Sequence, residues 1–155
     1  MRGRALRRFF VKAITILQPW AWLIIHGSKR VENRSWRPGL KPGTRFLIHA
    51  GQSREWMPAV LDESVARDFP ELRRAHDYVF GSLLGSVEFA DCVPAGHAKV
   101  ANEPGATGPL CWILRNPEQL DRPVKFRGIP GLFDVPDGLV DSATHSLPPG
   151  GRPST

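Results

Sequence analysis

The chain has 155 residues, 41% of them apolar and five of them Trp, enough for one domain with a packed core. No apolar run approaches the roughly 20 residues of a membrane helix, and Phe9-Phe10-Val11 behind the basic N-terminus is too short for a secretory core, so the expectation is a cytoplasmic protein without membrane contact. The net charge of +6 is lopsided: residues 1–54 hold twelve Lys and Arg against the single acid Glu32, and residues 55–155 hold nine against fourteen Asp and Glu, a pattern that points to a phosphate-bearing partner.

Residues 1–12 read as a basic arm carrying Arg2, Arg4, Arg7, Arg8 and Lys12, which would raise affinity for nucleic acid without specifying a sequence. The domain proper is expected over 13–136. Lys12 to Leu17 reads as a short first strand, and Gln18-Pro19 breaks it, proline suiting the first turn of a helix. Trp20 to His26 follows as a short apolar helix stopped by Gly27. Val31 to Trp36 and Arg45 to Ala50 read as strands separated by the turns Pro38-Gly39 and Pro42-Gly43. From Glu55 to Val79, Leu61, Val65 and Phe69 recur at helical spacing, which predicts one or two surface helices divided at Pro70.

Ser82 to Val93 is the strongest strand in the chain. Within it Gly85, like Gly81 just before it, marks a bulge or the close approach of another backbone. After a Gly- and Pro-rich loop, Leu110 to Leu114, Pro123 to Phe126 and Leu132 to Val135 are three more short strands. Residues 137–155 carry almost no apolar periodicity and read as a disordered tail. The inventory is α+β and mainly β: about six short strands with two or three small helices, suggesting a compact β-barrel.

The chemistry concentrates in Gly27 to Trp36. On a strand, alternation places Glu32, Arg34 and Trp36 on one face and Val31, Asn33 and Ser35 on the other. Neither face is cleanly apolar. Such groups need partners or a water-filled cleft, because burying them unpaired costs roughly 1–3 kcal/mol each. With Lys29 just upstream, a cation, a carboxylate, an amide, a guanidinium and an indole fall within eight residues. One reading is an internal Glu32–Arg34 or Glu32–Lys29 ion pair; the other is a ligand cleft. Trp20 or Trp22 would supply a stacking wall for a base, and His49, ending its strand, would reach a barrel mouth. His26, His49 and Lys29 are the ingredients of metal-free acid–base cleavage of RNA. Cys92 and Cys111 match no metal or redox spacing and sit in apolar contexts. No phosphate loop, dinucleotide fingerprint or serine elbow occurs, so neither cofactor nor metal is expected.

These residues also resemble a known family. Leu17-Gln18-Pro19-Trp20-Ala21, then Gly27-x-Lys29-x-Val31-Glu32-Asn33-Arg34-Ser35-Trp36, then Leu47-Ile48-His49-Ala50-Gly51 are similar to the ASCH domain family. Gly81-x-x-x-Gly85-x-Val87, Asp91-Cys92 and Gly108-x-x-Cys111-Trp112 before Asn116-Pro117 extend the likeness over about 13–135. The resemblance implies a PUA-like β-barrel with a cleft at the barrel–helix junction. It implies RNA binding, and in some members RNA cleavage or deacetylation of N4-acetylcytidine. The family lysine corresponds to Lys29. The position three residues later, a threonine in the amidohydrolase members, is Glu32 here, which would have to activate a water directly.

Three functions follow. The first is binding of RNA or a modified nucleoside, with Trp20 and Trp36 stacking the base, Lys29 and Arg34 holding phosphate or a carbonyl, and Glu32 and Asn33 reading the base edge. The second is a metal-independent hydrolase of RNA or an acylated nucleoside, using Lys29 for developing charge and Glu32 or His49 for the proton. The third is a protein-interaction adaptor using the acidic helices of 55–79.

Overall fold

The computed structural model describes residues 10–144, with side chains through 141. Its elements are β1 (Phe10–Ile16), α1 (Trp20–Ile25), β2 (Val31–Arg34), β3 (Arg45–Ala50), α2 (Glu63–Asp68), β4 (Ser82–Pro94), β5 (Leu110–Lys125), β6 (Leu132–Pro136) and α3 (Asp137–Thr144). Single 3-10 turns precede and follow α2, at Met57–Leu61 and Pro70–Arg74. The six strands form one sheet in the order β2-β5-β4-β3-β1-β6. β1 and β3 run parallel and every other neighbouring pair is antiparallel. The sheet is not closed by a ladder, but its curl is consistent with a PUA-like barrel.

Both faces of the sheet are packed, as alternation allows when helices and a folded-over strand cover them. Ile14, Ile16, Phe46, Ile48, Val87 and Trp112 meet Ala21, Ile24 and Ile25 of α1 in the main core. The intervening Ala13, Leu47 and Leu83 meet Leu120, Phe133 and Val135 on the reverse side. Gly85 is where α1 and β5 press closest. A Cβ there would overlap the Glu118 carbonyl and lie 3.0 Å from Ile25, the close approach that its place in the strand suggested.

The elements differ from expectation at five points. β1 begins at Phe10, inside the expected arm, because residues 10–14 pair with β6 and Lys12 meets Asp134 at 2.8 Å; residues 1–9 lie outside the described residues. The separate strands expected at 110–114 and 123–126 are one strand, β5. The left-handed Asn116 (φ 50°) is absorbed as an irregularity while β4 pairs along the whole length. β2 stops at Arg34, short of Trp36. Leu61 is exposed rather than core-facing, because it ends the 3-10 turn before α2 instead of sharing that helix with Val65. Finally, 137–144 is helical where a disordered tail is expected, with Val140 packed on the reverse core; residues 145–155 lie outside the described residues.

Candidate functional site

The site is built on the connection from β1 to β3. Gln18, fully buried, accepts from Trp22 N at 2.8 Å and donates to Val79 O at 2.9 Å, fixing the start of α1. At the other end, Gly27 N and Lys29 N both donate to Leu23 O at 3.1 Å, reversing the chain toward β2. Ser28 donates through its backbone N–H to Glu71 Oε1 at 2.7 Å, which ties that reversal to the turn after α2. The result carries Trp20, Lys29, Glu32 and Asn33 to one cavity.

That cavity has a volume of about 440 Å³. Trp20, Lys29, Glu32 and Asn33 line it on one side, and Trp56, Asp68 and Phe69 on the other, with Gly105 and Thr107 from the loop before β5. Lys29 is 4% exposed and donates from Nζ to Val31 O. Burial pushes its ammonium below the ordinary lysine range, and the nearby Glu32 carboxylate opposes the shift only in part. Glu32 is also buried, and its Oε1 accepts from Arg34 Nε at 3.0 Å. The ion pair therefore sits beside a cavity. Trp20 and Trp56 sit with ring centroids 6.3 Å apart and planes inclined by 59°.

The other expected site residues are placed differently. Asn33 lines the cavity, but its amide staples the loop: Nδ2 donates to Gly105 O at 2.7 Å, and Oδ1 accepts from Thr107 N at 3.0 Å and Gly108 N at 2.8 Å. Arg34 turns from the cavity to Thr15 O at 2.8 Å. Trp36 packs edge-on against Trp112, centroids 4.9 Å apart, and its carbonyl accepts from Trp112 Nε1 at 3.0 Å. Trp22 packs at a tilt beside His26 and edge-on to Tyr78, outside the cavity. His49 is 1% exposed in the floor of a separate groove. There Nε2 donates to Phe126 O at 2.6 Å, so Nδ1 is the acceptor for the Thr15 hydroxyl at 3.0 Å. Burial lowers the His49 pKa, the Phe126 hydrogen bond opposing.

Trp56, Asp68 and Phe69 did not emerge from the sequence as site residues. Trp56 had one legible signal, a tryptophan standing alone in the polar run Gln52-Ser53-Arg54-Glu55, and it is 52% exposed. Phe69 read only as a core position. Among the described residues no group of three or more His, Cys, Asp and Glu is placed to hold a metal ion, and no helix is long and apolar enough to cross a membrane.

The sequence profile of the ASCH domain matches residues 14–121, well over half of the chain, from the end of β1 through most of β5. The chain belongs to the ASCH domain family. This ASCH domain is 26% identical over 151 residues to "Activating signal cointegrator 1" of Homo sapiens and 24% identical to its counterpart in Mus musculus. In both cases the match takes in 86% of this chain and 24% of the relative, so the ASCH domain here spans about a quarter of the length of those proteins. Its fold is similar to the crystal structure of ASCH from Zymomonas mobilis, with a TM-score of 0.53 at 15% identity, covering 84% of this chain and 90% of that one.

Proposed function

We propose that this ASCH domain binds RNA or a modified nucleoside by drawing one base into the Lys29–Glu32 cavity. Membership of a family that is commonly RNA-binding supports the class of ligand. The observation that carries the reading is the composition of the cavity: two tryptophans beside a buried cation and a buried carboxylate, in a volume of ligand-pocket size. The inclined Trp20 and Trp56 rings do not form a parallel slot, so the base stacks on one and abuts the edge of the other. An ammonium has three donors, and Val31 O takes one from Lys29; the others suit a base carbonyl. Glu32 Oε2 suits a neighbouring N–H. A base edge with a carbonyl next to an N–H, as in uracil or guanine, fits that pair.

The test is a titration with nucleosides and short single-stranded RNA, N4-acetylcytidine included, repeated across salt concentrations. Saturable binding that Trp56→Ala weakens at least tenfold supports the reading. Wild-type binding that is indifferent to Trp56→Ala and Glu32→Gln would rule it out.

A second reading is hydrolysis of RNA or of an acylated nucleoside, and the depressed proton affinity of Lys29 beside Glu32 favours it. Lys29 would stabilise the oxyanion and Glu32 would activate water. His49 would take no part, lying in the other groove. A product detected by mass in the same incubations, and lost in Lys29→Met while binding persists, would establish turnover. Binding with no product would leave a reader.

A further inference from the structure

A groove of about 800 Å³ lies apart from the Lys29 cavity. Its rim carries the exposed cations Lys125 and Arg127, and among the described residues no carboxylate lines it. Arg54 adds a third cation, its guanidinium 3.9 Å from the centroid of the lining residue Phe80. Glycines let the rim segment pack directly on the floor. A Cβ on Gly128 would meet Thr15 Oγ1 at 2.6 Å and the His49 ring at 3.0 Å, while Gly81 has φ +62°.

The floor does no chemistry of its own. Both nitrogens of His49 are engaged, by Phe126 O and the Thr15 hydroxyl. The groove offers positive charge at its rim and apolar surface from Leu17, Phe80 and Ile129 within. That combination suits a sugar-phosphate chain laid across a surface better than a small molecule held in a closed pocket.

Position relates the two depressions. Gln52 lines the groove and Trp56 lines the cavity, and the four residue steps between them reach at most about 14 Å. On the other side Arg34 joins Glu32 of the cavity to Thr15 of the groove. A strand with one base in the cavity therefore has its flanking nucleotides within reach of the groove. Resting on the cavity reading of the proposed function, we infer that the Lys125–Arg127 groove is a second subsite, which holds the phosphate backbone of single-stranded RNA next to the nucleotide whose base occupies the cavity.

The experiment compares the full chain with a Lys125→Ala/Arg127→Ala double variant, using a short mixed-sequence single-stranded RNA and free N4-acetylcytidine and uridine as probes. The double variant is expected to bind RNA roughly tenfold more weakly at about 0.1 M salt, with the slope of log K against log salt shallower by about 1.4, or about 0.7 for each phosphate left without its cation. Nucleoside binding should not change. Both cations are exposed, so folding is preserved, and matching circular dichroism verifies it. RNA binding of unchanged strength and slope in the double variant, but abolished in Trp56→Ala, would reject the groove and keep the cavity. RNA binding abolished in the double variant but intact in Trp56→Ala would keep the groove as an RNA site and reject its coupling to the cavity. Wild-type protein that binds none of the probes would reject both.

Discussion

Arg34 donates from its guanidinium to the backbone carbonyl of Thr15 at 2.8 Å, joining the edge strand β2 to β1 across the seam where the sheet does not close. β6 pairs with β1 only as far as Ile14, so the Thr15 carbonyl lies just past that ladder and takes a side-chain donor instead. The same guanidinium holds Glu32 at 3.0 Å. The seam and the cavity floor thus share one side chain.

Removing that side chain affects both. Arg34→Ala leaves Glu32 without its ion-pair partner and should cost about 2–3 kcal/mol, the range for breaking charged hydrogen bonds in partly buried surroundings. Arg34→Lys recovers part of this, since an ammonium cannot reproduce the geometry of the guanidinium fork. Urea unfolding of the three proteins measures the order: wild type, then lysine, then alanine.

Asn33 acts on the loop. Asn33→Ala leaves the Thr107 and Gly108 N–H groups and the Gly105 carbonyl without their partner, at roughly 1–3 kcal/mol of lost stability. Asn33→Asp keeps the acceptor and loses the donor, so it should fall between. Hydrogen exchange at Thr107 and Gly108 should quicken most in the alanine variant, ahead of any change in the β4–β5 ladder.

Two tryptophans should separate stability from binding. Trp56 is half exposed and lines the cavity, so Trp56→Ala is expected to change stability by less than about 1 kcal/mol while weakening ligand binding. Trp36 packs on Trp112 and lies outside the cavity. Trp36→Ala should lose about 2–4 kcal/mol by removing that packing and should leave nucleoside affinity near wild type. Thermal melts beside nucleoside titrations decide it; equal effects of the two variants on affinity would contradict this division of roles.

Acid should weaken the fold through His49. Its folded-state pKa lies below the ordinary value of 6.5 because it is buried, so on acidification the unfolded chain takes up a proton that the folded chain refuses. The contribution of His49 to stability is therefore whole above the unfolded pKa and falls as pH drops below it. Between about pH 7 and about pH 5 the melting temperature of His49→Gln should decline less steeply than that of wild type, as followed by calorimetry.

The cavity was legible in part because Lys29, Glu32 and Trp20 sit together in sequence, in a segment whose polar residues suit neither face of a buried strand. Its far wall was not. Trp56, Asp68 and Phe69 arrive from a different segment, which long-range contacts such as the Ser28–Glu71 tie and the packing of Phe69 on Leu23 bring over α1. His49 read as reaching a barrel mouth; it is instead buried in the floor of the second groove, because parallel pairing sets Thr15 opposite His49. Trp36 lies past the end of β2, where alternation no longer tells which way a side chain faces. The unity of β5 was not legible, because it comes from pairing with β4 that continues past the irregularity at Asn116.

The parallel pairing of β1 with β3 has a consequence for assembly. Parallel neighbours need a long crossover, and here the crossover is residues 17–44, the stretch that carries Trp20, Lys29, Glu32 and Asn33. The near wall of the cavity is thus the chain segment that the parallel pair must close, and that closure spans a long loop with its entropy cost. A ligand seated between Trp20 and Trp56 therefore reports that this closure is complete, and in a refolding experiment its signal should return no earlier than the sheet itself.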